Sequence, residues 1–340
     1  MMSKKDTTQF WDTAHRYLDH HLKVIRQVSH HTIDSYRDCL NSFIDYLERV
    51  ENISRKKISF HNFEKGTIKR YQTWMITEQG LAPKTCNLRL TAVRSFLEYA
   101  AQEYLWIMPI YTDACTIAGV KTTSRAIEYF EPDEMTALLA APSGSSKTDR
   151  RNQMMLIFLY DTAARVAEAR QVKVSDLHLD VGVPYVTLLG KGRKYRNIPL
   201  MEKTVLHLKR YLKDFHGSNT KTDMPLFYSK AHGLLHELSS DTFEKMIKRY
   251  AAQCRADGYP MPDHVHCHMI RKTRAMDLYR EGVPLPHIQQ LLGHENISTT
   301  SGFYAFATLD VLAKAMEAVN PDSGVKSWSD PDTLERLYRL

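Results

Sequence analysis

The chain has 340 residues, 43% hydrophobic and 25% charged, so it is long enough for two domains with real cores and resembles an ordinary globular protein in composition. Its 46 Lys and Arg exceed its 39 Asp and Glu, and the net charge of +7 favours a polyanionic partner. No apolar run is long enough for a membrane span or a signal peptide, and five scattered cysteines predict reduced thiols, so we expect a cytoplasmic protein without membrane contact.

The first third of the chain is predicted to be helical and carries most of the net positive charge. Residues 1–125 hold 18 Lys and Arg against 13 Asp and Glu. Apolar residues recur at three- and four-residue intervals from Tyr36 to Leu47, which predicts one face of a helix with Thr32 as its N-cap. A second helix is predicted to begin at Pro83. Its predicted apolar stripe consists of Leu88, Val93, Phe96, Leu97 and Ala100.

The polar residues of this second helix are basic. Lys84, Arg89 and Arg94 lie off the apolar stripe, and we interpret them as its opposite face. Such a row of cations indicates either a solvated helix face or contact with nucleic-acid phosphates, and the pattern leaves both open.

Small and polar residues over 116–130 predict a linker. We therefore predict a first, helical domain over residues 1–115.

The second part of the chain combines helices with a small β-hairpin. Residues 183–189 and 195–200 have the pattern of strands, and a glycine-flanked turn at 190–194 joins them. The predicted fold class is therefore mainly α with a small β-sheet or hairpin. The tail after position 320 is predicted to contain a small docking helix. Helical patterns cover about 131–175, 202–214, 239–257, 268–281, 284–292 and 308–319.

Six polar residues of this second part suit chemistry at a phosphate. Arg165 lies at a predicted turn between helices, Lys191 at the hairpin tip, and His268 and Arg271 on one face of a helix start. Arginine donates bidentately to phosphate oxygens, and a tyrosine hydroxyl can act as nucleophile where the developing charge is held. Cations in this number predict phosphoryl transfer without a metal. The six residues are Arg165, Lys191, His268, Arg271, His294 and Tyr304.

Four motifs occur in a fixed order. They are Arg165-Val-Ala-Glu168 followed by Val174-Ser-Asp-Leu177, Gly190-Lys-Gly-Arg-Lys-Tyr-Arg-Asn-Ile-Pro-Leu200, His268-Met-Ile-Arg271-Lys-Thr, and Leu291-Leu-Gly-His-Glu-Asn-Ile-Ser-Thr-Thr300. In that order they resemble the first arginine box, the lysine hairpin, the His-x-x-Arg box and the segment before the nucleophile of the tyrosine recombinase, or phage-integrase-like, family. The resemblance implies a helical core-binding domain over 1–115 that clamps DNA and a mixed α/β catalytic domain over 131–320. A tail over 321–340 remains.

The resemblance implies how the phosphate is held. Arg165 and Arg271 would grip the scissile phosphate, and His294 would hydrogen-bond to it. His268 would assist proton movement. Glu168 matches a supporting acidic position and would order Arg165. No cofactor and no ATP are implied, since members of the family conserve bond energy in a covalent link.

The resemblance also implies the reacting groups. Lys191 would be the general acid for the leaving 5′ oxygen, and Tyr304 would attack to give a 3′-phosphotyrosyl link. The commonest family spacing places the nucleophile nine residues after the histidine, which here is Phe303. Since phenylalanine cannot attack, we predict Tyr304, with Gly302 absorbing the extra residue. A catalytically dead protein, or use of Tyr338, stays open.

The implied substrate is double-stranded DNA at specific sites. The family usually acts as a tetramer on two DNA sites, through a Holliday junction; accessory DNA-bending proteins or a partner recombinase are left open. We expect integration or excision of a mobile element. The alternatives are a dimer resolvase or invertase, a type IB topoisomerase and a non-catalytic DNA-binding relative. The residues expected to contact DNA, by similarity to the family's core-binding helix, are Lys84, Thr85, Arg89 and Arg94.

Two further features stay undecided at the level of sequence. Lys272 and Arg274 stand where the family often has His and an aromatic residue, and they either reach the DNA backbone or sit exposed. A group of metal-ligand residues matches no closed structural zinc spacing, so we expect no metal. These residues are Cys254, His264, His266, Cys267 and His268.

Overall fold

The computed structural model describes residues 4–122, 128–144, 146–190, 192, 194–217, 223–231 and 234–293. The chain divides into two compact units, Met1–Arg125 and Ala126–Leu340. The predicted helix over 308–319 and the predicted tail over 321–340 lie outside the described residues. Among the helices of the described part, none has the length and apolar character needed to cross a membrane.

The first unit is built from helices. The helix at His30–Arg49 is capped by Ser29, whose hydroxyl accepts a hydrogen bond from the Thr32 backbone N–H at 3.2 Å. The prediction of Thr32 as N-cap is therefore wrong, because two residues of good capping type lie three apart and the earlier one takes the role. A π-helix at Arg16–Ile25 continues the first helix. The α-helices are α1 (Lys4–His15), α2 (His30–Arg49), α3 (Lys65–Thr77), α4 (Pro83–Glu103) and α5 (Met108–Cys115), with short 3₁₀ turns at Arg55–Lys57, Phe60–Phe63 and Leu105–Ile107.

Aromatic side chains fill the core of the first unit around α4. Phe10 of α1 meets Phe96 of α4 edge-on, with ring centroids 5.8 Å apart. The predicted stripe of α4 is confirmed from Val93 onward, but Leu88 is 47% exposed and Leu90 is buried in its place. Leu90 lies seven residues, about two helical turns, before Leu97, so it continues the same face and Leu88 does not. The buried phenylalanines are Phe10, Phe43, Phe60, Phe63 and Phe96.

The start of the predicted linker is held by the first unit. Ile117 is buried in the core of that unit, and Val120 packs against it. Side chains of α3 and α4 donate hydrogen bonds to carbonyls of this segment, so residues 117–120 are anchored. The donor side chains and their carbonyl partners are Gln72 with Ala118 at 2.9 Å, Asn87 with Val120 at 2.9 Å, and Arg94 with Ile117.

The second unit surrounds a small antiparallel sheet with helices. Strands β1, β2 and β3 pair in that order, and β4 and β5 form a separate hairpin. The helices are α6 (Pro132–Ala140), α7 (Lys147–Thr162), α8 (Val166–Gln171), α9 (Glu202–Phe215), α10 (Ser240–Ala256), α11 (Cys267–Arg280) and α12 (Leu285–Leu292), with a 3₁₀ turn at Val174–Asp176. The strands are β1 (Leu177–His178), β2 (Tyr185–Leu189), β3 (Tyr195–Pro199), β4 (Tyr228–Ala231) and β5 (Leu234–Glu237).

The predicted hairpin is confirmed as β2 and β3. Leu189 pairs with Tyr195 at the end nearest the turn, and the Gly190 N–H donates to the Lys194 carbonyl at 2.8 Å. Val186 and Ile198 face each other in this register, and both are buried in the core of the second unit. One face of the hairpin is therefore fixed in the core.

The core of the second unit begins at Phe130, the last residue of the predicted linker. Phe130 is fully buried, and its N–H donates to the Thr273 hydroxyl of α11 at 2.8 Å. Phe158 of α7 lies edge-on to Phe227, with ring centroids 5.5 Å apart. Helices α7 and α11 therefore contribute to one apolar core, and the site described next lies at the turn that follows α7 and at the start of α11.

Candidate active site

A strained turn between α7 and α8 positions the first arginine. Arg165 is the last residue of this turn and the N-cap of α8. Ala163 in the turn has a φ of 48°, a left-handed conformation that residues with a side chain rarely adopt. Ala163 is fully buried, and its carbonyl accepts a hydrogen bond from Arg271 Nη1 at 2.8 Å. Burial and this bond hold the strained turn, and they couple Arg165 to Arg271.

Glu168, in the first turn of α8, lies at the centre of three arginines. It accepts hydrogen bonds from the Arg165 backbone N–H at 2.7 Å and from Arg165 Nη1 at 2.8 Å. Arg196 of β3 donates from Nη1 and Nη2 to the two carboxylate oxygens, at 2.8 and 2.7 Å. Arg271 Nη1 lies 3.9 Å from Oε2. The carboxylate is 4% exposed, so its partners are these cations rather than water.

The cluster keeps a surplus of positive charge. Burial raises the pKa of the Glu168 carboxyl, but the hydrogen bonds from Arg196 and from the Arg165 backbone outweigh burial and bring the pKa to about 2. Glu168 is therefore ionised at neutral pH and cancels one of the three arginine charges. An anion that approaches the cluster is attracted by the remaining charge.

Arg165 and Arg271 differ in how far their side chains are exposed to solvent. The Arg271 side chain is 3% exposed and donates to the carbonyls of Ala163 and Leu292. The Arg165 side chain is 34% exposed, and its Nη2 lies 3.4 Å from the Gly293 carbonyl. Arg165 thus presents its guanidinium at the surface with its direction set by Glu168, and a planar guanidinium matches the oxygens of a phosphate.

His268 lies one helical turn before Arg271 on α11. Desolvation of its ring lowers the pKa of His268 to about 4, and the positive charges of Arg271, Lys272 and Arg165 contribute, although the residue is exposed at the surface. Its imidazole is therefore neutral at neutral pH. A neutral imidazole has one nitrogen that can accept a proton and one N–H that can donate a hydrogen bond.

Comparison with known proteins decides the family. The family model described as the phage integrase family matches residues 128–308, more than half of the chain. The chain belongs to the phage integrase family of tyrosine recombinases. The match includes the whole arginine cluster, and a second model, the phage integrase N-terminal SAM-like domain, matches residues 15–104 of the helical unit. The predicted family and the predicted fold class are both confirmed.

Relatives of this tyrosine recombinase align over most of its length. Tyrosine recombinase XerD of Halalkalibacterium halodurans is 34% identical over 285 residues, which cover 83% of this chain and 89% of that protein. Tyrosine recombinase XerC of Staphylococcus haemolyticus is 28% identical over 301 residues, with 88% and 94% covered. A crystal structure of XerH site-specific recombinase bound to palindromic difH substrate, a post-cleavage complex, shares the fold with a TM-score of 0.68. It is 22% identical, and 86% of this chain and 81% of that chain are covered.

The structure brings four of the predicted site residues of the recombinase together. Arg165, Glu168 and Arg271 are in direct contact or within ion-pair distance, and His268 is close enough for the arginine charges to lower its pKa. Three other predicted residues lie outside the described part of the chain, so their roles stay predictions. These residues are Lys191, His294 and Tyr304.

Arg196 lies in the hairpin motif, but the sequence analysis assigned it no role in the site. It lies two residues before Ile198 on β3, so both side chains point to the same, inner face of the sheet. A cation at an inward-facing strand position requires a buried acidic partner, because an unpaired buried charge is costly. That rule was the available signal, and Glu168 is the partner.

Both features left undecided by the sequence now have a description. Arg274 does not sit exposed: it is mostly buried, 5.3 Å from the Tyr160 ring centroid and 3.7 Å from the Asp161 carboxylate. The exposed alternative is therefore wrong for Arg274, contact with the DNA backbone stays a prediction, and Lys272 is half-buried. Across the described ranges, no group of three or more His, Cys, Asp or Glu is placed to hold a metal ion.

The predicted basic face of α4 does not exist as one face. Lys84, Arg89 and Arg94 follow each other at steps of five residues, and each step rotates by about 140° around a helix. Lys84 is exposed, whereas Thr85 and Arg89 are half-buried. Arg94 donates from Nε to the Ala114 carbonyl at 3.0 Å, in addition to its bond with the linker segment. Lys84 is therefore better placed than Arg94 to meet a ligand.

Proposed function

We propose that this tyrosine recombinase cleaves and rejoins double-stranded DNA at specific sites through a 3′-phosphotyrosyl intermediate. The observation that carries the proposal is the cluster around Glu168, which keeps surplus positive charge and presents Arg165 at the surface. Phosphoryl transfer places negative charge on the non-bridging oxygens of the transition state. Preorganised guanidinium groups stabilise that charge without reorganising during the reaction.

In the proposed step, the phenolic oxygen of Tyr304 attacks phosphorus, and the bond to the 5′ oxygen breaks. The neutral imidazole of His268 accepts the tyrosine proton, and the Lys191 ammonium gives a proton to the leaving oxygen. His294 donates a hydrogen bond to a non-bridging oxygen. Attack by a 5′ hydroxyl on the phosphotyrosyl bond reverses the step and rejoins the strand. The covalent link keeps the bond energy, so the proposal includes no ATP.

Strand exchange needs two DNA sites, and we propose a tetramer on DNA that passes through a Holliday junction. Family membership supports this assembly, as does the fold shared with lambda integrase, whose structure is a tetramer bound to a Holliday junction. We propose integration or excision of a mobile element as the role, in the cytoplasm where that DNA lies. Resolution of chromosome or plasmid dimers, or inversion, is the alternative, and accessory DNA-bending proteins or a partner recombinase belong to either.

The proposal is tested with a suicide substrate, a duplex nicked near the scissile phosphate and taken from DNA that flanks the gene. In buffer with EDTA, wild type is expected to form a covalent protein–DNA adduct on a denaturing gel. Arg165→Ala is expected to form it at least about 100-fold more slowly, because one oxyanion donor is removed. The matched control is Arg150→Ala, whose arginine pairs with Asp214 at 3.1 Å elsewhere on the same unit.

Three outcomes would count against the proposal. Site-specific binding without any adduct indicates a non-catalytic DNA-binding protein. Relaxation of supercoiled DNA that contains no specific site, without joining of two sites, indicates a topoisomerase of the same chemistry. An Arg165→Ala adduct as fast as that of wild type would remove the arginine cluster as the basis of the proposal.

We also propose that Lys84, Thr85 and Arg89 contact DNA, and α4 offers a matched pair to test this. Lys84→Ala is expected to weaken site binding and to lower the slope of log affinity against log salt by about 1, because one phosphate contact is lost. Arg94→Ala removes the same charge from a side chain bonded inside the unit, so the slope should stay unchanged while the melting temperature falls. Fluorescence anisotropy at several salt concentrations measures both. Equal slopes for wild type and Lys84→Ala would exclude the contact.

A further inference from the structure

Arg196 is committed to acceptors of the protein itself. Its side chain is 13% exposed. Nη1 and Nη2 donate to the two oxygens of Glu168, and Nε donates to the Leu291 carbonyl near the end of α12, at 3.0 Å. Three of the five N–H groups of this guanidinium thus join β3 to α8 and to α12. A residue bonded in this way acts through its neighbours rather than on a substrate.

Two glycines pack directly on this guanidinium. A Cβ at Gly190 would lie 3.1 Å from Arg196 Nη1 and 3.3 Å from the Lys194 carbonyl. A Cβ at Gly293 would lie 3.2 Å from both Cδ and Nη1 of Arg196. Gly293 also has a φ of 60°, the left-handed conformation that favours glycine. The backbones of both residues therefore approach Arg196 so closely that a Cβ at either position would require the guanidinium to shift.

Each of the two glycines immediately precedes a predicted site residue. Gly190 immediately precedes Lys191, and Gly293 immediately precedes His294. We propose that Arg196 is a positioning residue for strand cleavage, which fixes the backbone ahead of the lysine and ahead of the histidine against the Glu168 carboxylate. The inference rests on the proposed function, since it assigns Lys191 as general acid and His294 as a phosphate ligand.

The fork geometry of arginine is what the position requires. A lysine at 196 would keep one positive charge, but an ammonium group cannot reach both carboxylate oxygens and the Leu291 carbonyl in the same plane. The Glu168 carboxylate would then keep Arg165 while losing its link to the hairpin. The backbone ahead of His294 is also bonded by Arg271 at the Leu292 carbonyl and by Arg165 at the Gly293 carbonyl, so it keeps two anchors without Arg196. We therefore expect loss of Arg196 to affect proton delivery from Lys191 more than the grip on the phosphate.

The test uses two suicide substrates, one natural and one in which sulfur replaces the bridging 5′ oxygen at the scissile phosphate. A thiolate leaves without being protonated, so the second substrate needs no general acid. Arg196→Gln is expected to slow adduct formation about 100-fold on the natural substrate and less than about 10-fold on the sulfur substrate. Lys191→Ala should show the same pattern. Arg165→Ala should be slow on both, because it contacts the non-bridging oxygens.

Arg196→Lys serves as the second variant. It keeps the charge and most of the aliphatic stem, and we expect it to show the same preference for the sulfur substrate with a smaller defect. Thermal unfolding and site binding are measured for each variant, so that only folded, DNA-binding protein enters the comparison. The positioning role would be overturned if Arg196→Gln and Arg196→Lys were each slowed equally on the two substrates. It would also be overturned if both variants reacted with the natural substrate at the wild-type rate. Failure of wild type on both substrates would instead overturn the proposed function.

Discussion

A Tyr304→Phe variant is expected to bind its DNA site with wild-type affinity and to form no covalent adduct on the nicked substrate. The change removes one oxygen atom, and without it no group at position 304 can bond to phosphorus. The folded core and the arginine cluster should be unaffected, so binding and thermal unfolding serve as internal checks. Because the step is lost rather than slowed, this is the largest effect on activity that any single substitution should produce.

The same experiment settles the one-residue offset from the commonest family spacing. Tyr338→Phe is the matched control, and it is expected to form the adduct at the wild-type rate. Mass spectrometry of the digested adduct should identify the peptide that carries Tyr304. An adduct that persists in Tyr304→Phe and disappears in Tyr338→Phe would move the nucleophile to the tail. Loss in both single variants would show that Tyr338 is needed for a reason other than attack.

Glu168→Gln is expected to lower the free energy of unfolding of the second unit by about 3 kcal/mol at pH 7. An amide cannot balance the charges of Arg165, Arg196 and Arg271, and removing one partner of a buried ion pair costs about 3–5 kcal/mol. The pKa of the Glu168 carboxyl gives a similar figure. It is about 2 in the folded chain against an ordinary value of 4.5, and each pH unit corresponds to about 1.4 kcal/mol.

The sign of the pH dependence follows from this lowered pKa. The stabilisation by Glu168 is fully present above about pH 4.5 and is lost as the pH falls towards 2, where the folded carboxyl takes up its proton. The difference between wild type and Glu168→Gln in urea unfolding should therefore shrink over that range. Asp180→Asn, which removes an exposed ion pair with Lys209, is the control and should change stability by less than about 1 kcal/mol at any pH. A constant difference between wild type and Glu168→Gln would contradict the assignment of the charge to Glu168.

The local patterns of the sequence predicted the elements that carry the motifs. The strands on both sides of the lysine turn and the helices α9 to α12 were predicted to within a few residues, because period-2 and period-3.6 patterns are strong there. Strand β1 has two residues, and β4 begins with Tyr228-Ser-Lys, so neither has a clear apolar alternation. Their formation depends on partner strands that are not visible in a local pattern.

The residues of the candidate site also divide into those that a local pattern predicts and those that depend on distant contacts. Arg165, Glu168, His268 and Arg271 were predicted because each belongs to a motif with fixed spacing. Arg196 also lies in a motif but was given no role, because its importance comes from contacts with residues 28 positions before it and 95 positions after it. The basic residues of α4 were judged by type alone, and only the packed structure distinguishes the outward Lys84 from an Arg94 that bonds carbonyls. Charge identifies candidate DNA-contacting residues, whereas three-dimensional contacts show which of them bind groups of the protein itself.

The hydrogen bonds that anchor residues 117–120 determine where the chain can be divided in the laboratory. A fragment that stops at 115, where the first domain was predicted to end, would lose the buried Ile117 side chain, the carbonyl partners of Gln72 and Asn87, and one of the two carbonyl partners of Arg94. Two of those donors lie on α4, so truncation there would disturb the helix intended for study. A fragment that extends to 122 keeps every one of these contacts. The segment after α5 is thus part of the smallest piece of the first unit that can be expected to fold alone.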